Sequence, residues 1–489
     1  MSKGVTPRSS DYARWYTDVV QKAELADYGP VKGSMVIRPY GYSIWESIRD
    51  AFDRRFRDTG HVNAYFPMLI PKSFLSKEAE HVEGFAKECA VVTHSRLMSN
   101  PDGDGVVVDP EARLEEELIL RPTSETIIWH MYKQWINSYR DLPILINQWA
   151  NIIRWELRTR LFLRTSEFLW QEGHTAHATE KEAIEETERI IEIYREVAEE
   201  VLAMPVIVGR KTASERFAGA IETYAIEAMM GDHRALQSGT SHYLGQNFAK
   251  AFDVTFRNEV NESEYVYATS WGVSTRLVGG VIMVHGDDKG LRLPPRLAPI
   301  QLVIVPIYKD NTRDQVMPAV RELAERLERT GVRVKLDDRE TVSPGFKFND
   351  WEMKGVPVRL EVGPRDVAQG EVIISRRDVE GKSTISLEAV ADQILPMLDE
   401  IQKSLFQQAL AFRSTHTCDI DNWDEFKKIM EQGAFVRCGW DGDPDTEAAI
   451  KAETKATIRC IPLDEDPTGL RCVYTGKPAK HAVIMAKAY

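Results

Sequence analysis

Arg154-Trp155-Glu156, a polar turn carrying Arg158, Arg160 and Arg164, and the return Glu167-Phe168-Leu169-Trp170-Gln171-Glu172-Gly173-His174 decide how this chain reads. The pattern is a strand, an arginine-rich turn and an aromatic return strand. A second arginine element, Trp271-Gly272-Val273-Ser274-Thr275-Arg276, opens a helix and leads into the apolar run Leu277 to Val284. Guanidinium groups stay charged and can grip phosphate oxygens with two hydrogen bonds at once. The two elements therefore suit one triphosphate held from both ends. Gly-x-x-x-Arg alone arises by chance, and any one of these arginines reads equally as a surface salt bridge. Their joint placement is what argues for a site.

Arg121-Pro122-Thr123-Ser124-Glu125 lies upstream, and Gln237-Ser238-Gly239-Thr240-Ser241-His242 lies between the two elements. In this order the segments resemble motifs 2 and 3 of the class II aminoacyl-tRNA synthetases, and the combination is similar to that of the prolyl-tRNA synthetases. The resemblance runs over essentially the whole chain. It implies ATP-dependent attachment of L-proline to tRNA(Pro) through prolyl-adenylate, with magnesium. The implied fold is α+β: a class II antiparallel sheet flanked by helices (1–292), an α/β anticodon-binding domain (299–402) and a small α+β carboxy-terminal domain (403–489).

At 489 residues the chain is too long for one core. Its 43% hydrophobic and 28% charged residues are ordinary for a soluble globular protein. No apolar stretch approaches the ~18 residues of a membrane span, and Met1 to Tyr16 lacks a signal peptide's apolar core. Five cysteines, odd in number and unevenly spread, argue against a disulfide framework and for a reducing cytoplasm. A net charge of −13 opposes nucleic acid on average. It does not exclude a basic patch on an acidic body.

Trp45, Ile48, Phe52 and Phe56 form a helical stripe within Tyr42 to Phe56, with Gly60 as the stop and a proline-broken strand over His61 to Pro71. This resembles motif 1, which in the class II family builds a homodimer interface; packing of the helix on its own core is the other reading. Thr179 and Glu182 make a capping box for a helix predicted over Glu180 to Ala203, whose charges read as a solvated surface. Past a boundary at Leu293 to Pro299, strands are predicted over Gln301–Tyr308, Val332–Asp337, Val356–Val362 and Glu371–Ser375. Helices are predicted over Gln315–Thr330 and Leu387–Gln402, giving a mixed-sheet α/β unit. Glu361-Val362-Gly363-Pro364-Arg365-Asp366 resembles the family's anticodon-reading turn, which implies Glu361 and Arg365 near anticodon bases. A plain Gly-Pro turn with a surface ion pair is the alternative.

In the reaction the resemblance implies, the substrate carboxylate attacks the α-phosphorus, so the protein must mainly hold two anions together and absorb charge on the leaving pyrophosphate. It implies catalytic roles for two arginines: Arg154 bridging the α-phosphate and the amino-acid carboxylate, and Arg276 on the γ-phosphate. Glu156, Arg164 and Thr165 would surround the nucleotide, and Gln237 and Thr240 would complete its site. Thr123 and Glu125 would take proline's cationic nitrogen. Trp170 and Phe217 would wall the ring, with Glu172, His174 and His242 as polar edges, although either histidine also reads as a satisfied core residue. Threonyl enzymes use an active-site zinc. Here no cysteine lies between Cys89 and Cys418, which favours proline.

The carboxy-terminal unit resembles that of archaeal- and eukaryote-like prolyl enzymes, many of which carry a four-cysteine structural zinc. Cys438 and Cys472 stand in the two expected segments. Their partners are missing, with Asp443, Asp445, Thr446 and Thr475 there instead, and Cys460 lies in an apolar strand. The expectation is a domain without zinc; a mixed site of Cys438, Cys472, Asp443 and Cys460 is the alternative. Only about a hundred residues separate Glu172 from Gly272, too few for the large editing insertion of bacterial-type enzymes, so uncorrected misactivation of alanine is expected. Two rivals remain: a catalytically silent paralogue, and a ligase charging a carrier protein.

Overall fold

The computed structural model describes residues 4–76, 89–464 and 466–489. Ile144–Ile153 and Glu167–His177 pair antiparallel, from Glu167 opposite Ile153 to Ala176 opposite Ile144. This is the hairpin read from the arginine-rich stretch, except that its first strand ends at Ile153 and Arg154-Trp155-Glu156, read as strand, falls in the turn. The sheet continues in the order Val62–Asn63, Ile144–Ile153, Glu167–His177, Tyr267–Ser274, Ala235–Gly245, Glu222–Met229, Val206–Arg210. All these pairings are antiparallel except that of Val62–Asn63.

Helices cover this sheet. Pro39–Asp58 buries Ile44, Trp45, Ile48, Phe52 and Phe56 against Tyr194 and Trp271. The stripe thus packs on its own core, and Gly60 ends the helix at φ 89°. The expected strand over His61 to Pro71 is split in two. Val62–Asn63 joins the main sheet, while Leu69–Pro71 pairs with Arg113–Leu120 in another. Pro67 between them has no N–H for a ladder. Glu180–Glu196 has its capping box, and then passes into a π turn over Val197–Val201 rather than running on as α-helix. Its charges are not all solvated: Glu186 is buried and pairs with His61 at 2.8 Å. Arg276–His285 is a buried helix, as its apolar run requires.

The segment Leu293 to Pro299 is no loose linker. Leu293, Leu297 and Ala298 are buried, and Arg333 donates to the carbonyls of Pro295 and Ala298. Beyond it, Val334–Leu336, Leu302–Pro306 and Val358–Val362 are parallel, and Glu371–Arg376 and Ser383–Ser386 add antiparallel. The mixed sheet is as expected. The last helix, Val390–Thr415, passes through position 402 into the third unit.

In that unit Thr417–Asp419, Phe435–Trp440, His481–Ala486 and Thr457–Pro462 join the catalytic sheet edge to edge, making eleven strands. The seam pairs Gly209 with Pro462 and Arg210 with Ile461. A Cβ on Gly209 would meet the Ile461 carbonyl at 2.6 Å, so the close approach needs glycine. Tyr489, the last residue of the sequence, returns to the catalytic sheet: its N–H donates to Ala235 and its hydroxyl to Asp232 at 2.6 Å.

Candidate active site

One cavity of about 290 Å³ opens on the face of the catalytic sheet. Arg154, at the end of Ile144–Ile153, and Arg276, at the start of its helix, both reach it. So do Thr123, Glu125, Trp170, Glu172, His174, Phe217, Gln237, Thr240 and His242. Segments spread over more than 150 positions of sequence therefore converge on one site.

At one end are the arginines. Arg154 is fixed by its backbone N–H to Ser166 at 2.8 Å and by Nε to the Pro122 carbonyl at 2.9 Å. Its guanidinium lies over Phe168 and Trp170, 5.6 and 5.4 Å from the ring centroids. Loss of water pushes its pKa down to about 10, with Arg276 adding repulsion while Glu125 and Glu172 pull the other way. Burial, then the charge of Arg164, also depresses Arg276. Both stay protonated at neutral pH, so two half-buried cations face one cavity, an arrangement relieved by a polyanion. Gln237 sits at a bulge, where Ile226 faces Gly239 but Glu227 faces Gln237.

Glu156, Arg164 and Thr165 do not line the cavity. Glu156 pairs with Arg164 across the turn at 3.6 Å and accepts from the Arg158 N–H, while the Thr165 hydroxyl donates to the Glu167 carbonyl. The turn expected to be polar has an apolar tip. Leu161, Phe162 and Leu163 are buried, and the Tyr16 hydroxyl donates to the Leu161 carbonyl at 2.8 Å.

At the other end, buried Glu172 accepts from Ser124 Oγ at 2.5 Å, Gln148 Nε2 at 2.8 Å and His174 Nε2 at 2.9 Å. Burial opposes its charge, but these donors outweigh it and hold its carboxyl below the usual range. Burial likewise works against the His174 cation, and Glu172 and Glu125 reverse that, so His174 titrates above an ordinary histidine. His242 is the opposite case. Burial, with the charge of His174, pushes it down to about 3, so it is a neutral ring 4.8 Å from Phe217, bonded to Thr223 Oγ1. Thr123 donates to Glu125. Gly173 is required here, since a Cβ would collide with the Trp271 ring. Phe168, Glu215, Arg216, Thr223 and Ser270 also line the cavity and escaped the sequence reading. Of these, Phe168 carried a signal, as part of the aromatic return strand.

In the anticodon-like unit, buried Glu361 accepts from Arg359 at 3.0 Å and Lys382 at 2.7 Å, and both cations lie over Phe348. Arg365 is exposed. In the carboxy-terminal unit the donors do not fit a structural zinc. Cys438 and Cys472 are buried thiols, and burial raises Cys438 far above the usual range. Cys460 packs in a different cluster, with Met229 and Phe435. Asp443 caps a helix through the Asp445 N–H, and Asp441 accepts from Thr475 at 2.8 Å and Thr446 at 3.2 Å. Among the described residues no group of three or more such donors comes together, and two thiols alone are not a closed tetrahedron. No helix among the described residues is long and apolar enough to cross a membrane.

An antiparallel sheet that presents one arginine from a strand hairpin and another from a following helix, over one cavity, defines a class II aminoacyl-tRNA synthetase core. Residues 108–285 match the tRNA synthetase class II core domain (G, H, P, S and T), 301–396 an anticodon binding domain, and 423–489 the prolyl-tRNA synthetase C-terminal domain. The chain is 59% identical over 488 residues to a proline–tRNA ligase of Porphyromonas gingivalis, covering 100% of this chain and 99% of that one. It is 57% identical over 492 residues to that of Flavobacterium johnsoniae, covering all of both. The chain belongs to the prolyl-tRNA synthetases. It is an ATP-dependent proline–tRNA ligase, of an architecture that these bacterial relatives share along their whole length.

Proposed function

We propose that the cavity holds proline at its Glu125, Glu172 and His174 end and the triphosphate at its Arg154 and Arg276 end. The observation that carries this reading is the meeting of both arginines with the buried carboxylates in one space. Proline's nitrogen is a cation with two N–H donors; Thr123 and Glu125 accept them. Trp170, Phe217 and the neutral His242 wall the ring. Arg154 bridges the α-phosphate and the carboxylate, and its grip tightens as charge develops. Arg276 holds the γ-phosphate, Gln237 and Thr240 complete the nucleotide site, and Glu156, Arg164 and Thr165 close on the nucleotide from the turn. Magnesium, when bound, would supply positive charge beside the leaving pyrophosphate. Gln237 and Thr240 are oxygen donors suited to an ion carried mainly by phosphates; Glu227 is already committed to Lys211 and Arg459.

The same proposal covers the working division 1–292, 299–402 and 403–489, with Arg359, Lys382 and Phe348 joining Glu361 and Arg365 at the anticodon. Val62, Tyr65 and Leu69, exposed in the segment that follows the Pro39–Asp58 helix, would meet a second copy. Sedimentation should then give twice the 55.6 kDa chain mass; a monomer at micromolar concentration would end that reading.

Residues between Glu172 and Gly272 go into the sheet, its covering helices and a small hairpin, which supports a single-sieve enzyme. Alanine fits inside a proline pocket, and missing methylenes give only ~1–3 kcal/mol of discrimination each. Pyrophosphate exchange with each of the twenty amino acids should be fastest with proline and weak but measurable with alanine. Ala-tRNA(Pro) should accumulate without hydrolysis. Faster exchange with another amino acid contradicts the pocket assignment, and rapid deacylation by the pure enzyme reveals an editing site.

A further inference from the structure

Between Val206–Arg210 and Glu222–Met229 the chain makes a loop whose Glu215, Arg216 and Phe217 wall the cavity. Eleven residues, Lys211 to Ile221, with one 3-10 turn among them are costly to order. The middle of the loop is held by the carboxy-terminal domain. The Thr212 hydroxyl donates to Glu447 Oε1 at 2.8 Å and the Ser214 hydroxyl to Glu447 Oε2 at 2.6 Å. One helical turn further on, Lys451 pairs with Glu215 at 3.2 Å. Glu447 and Thr212 are both buried, where a hydrogen bond to a charged acceptor is strong and leaving the charge unpaired is costly.

The root of the loop is fixed from the same side. Lys211 Nζ donates to Glu227 Oε1 and to the Arg459 carbonyl, each at 2.6 Å, and Arg459 forks onto Glu227 at 3.0 and 3.2 Å. The helix that presents Glu447, Pro444–Thr454, is itself pinned by the Asp443 cap and by the Asp441 bonds to Thr446 and Thr475.

We propose that Glu447, seconded by Lys451, is a positioning residue for the amino-acid pocket. The carboxy-terminal domain sets the place of the Phe217 wall and thereby the affinity for proline. Glu447 touches no substrate; it acts through Thr212 and Ser214. The inference rests on the assignment of Phe217 to the proline end of the cavity.

The test uses the full chain with proline-dependent pyrophosphate exchange. Phe217→Ala checks the wall itself and should raise KM for proline. The paired change Thr212→Val with Ser214→Ala leaves the carboxy-terminal domain intact and should raise KM for proline roughly tenfold. KM for ATP and the affinity for tRNA should change by less than about twofold. Glu447→Gln should give the same split, and adding it to the loop pair should cost little more, since both remove the same bonds. An unchanged KM for proline in Phe217→Ala overturns the wall assignment, and the proposal with it. A raised KM in Phe217→Ala but not in the loop pair overturns the clamp alone. Equal losses in kcat, ATP affinity and melting temperature would show a merely structural contact and overturn it too.

Discussion

Glu172 and His174 show how a single pair can be both core and site. His174 lines the cavity and is buried against a carboxylate through Nε2, while its buried Nδ1 has no hydrogen-bond partner among the described residues, so it is not the fully satisfied core histidine of the alternative reading. Its folded pKa lies above the ordinary 6.5, and that of Glu172 below the ordinary 4.5. The pair's contribution is therefore complete between those limits. It is lost as pH rises through the raised histidine value, and again as pH falls through the depressed glutamate value. Glu172→Ala should lower the His174 titration, because burial is then opposed by Glu125 alone. Stripping a buried charge of its partner should also cost about 3 kcal/mol in urea unfolding. Imidazole NMR shifts would read the first effect; an unchanged titration would mean that Glu172 is not what holds the proton.

At the scale of elements, the hairpin and the following helix were legible because their residues carry period and chemistry together. Other elements were hidden for physical reasons. Pro344–Met353 is a helix opened by Ser343 and Pro344, and Pro-Gly with few spaced apolar residues reads as a turn. Val390–Thr415 runs 26 residues with Pro396 in its second turn, far past the end its periodicity suggested. The missing partners of Cys438 and Cys472 were visible in the sequence of the carboxy-terminal unit. Its Asp441, Thr446 and Thr475 bonds join the segments around Cys438 and Cys472 by hydrogen bonding. Prolonged dialysis against a chelator should leave its melting temperature unchanged, and elemental analysis should find no stoichiometric metal. About one tightly held zinc per chain would contradict the domain described here.

At the scale of the whole molecule, the continuous sheet was not legible. Gly209 and Pro462 lie some 250 positions apart, and nothing local marks two edge strands as partners. Neither was the loop clamp, since Glu447 reads as one more helix charge until Thr212 and Ser214 are seen beside it. Side chains chosen for phosphate and carboxylate chemistry meet at one cavity, Glu156, Arg164 and Thr165 excepted, whereas the contacts that place them are decided by packing. The net charge of −13 averages over a chain in which cations gather at Arg154 and Arg276 and around Phe348.

The central claim is that activation depends on two arginines converging on one cavity, apart from the unit that meets the anticodon. Arg154→Ala, assayed for proline-dependent pyrophosphate exchange and for tRNA binding on the same preparation, tests it most directly. Exchange should fall ~10²–10³-fold, the loss expected for one charge-assisted donor to a developing anion, while tRNA binding stays near that of the parent enzyme. Near-normal exchange would contradict the account.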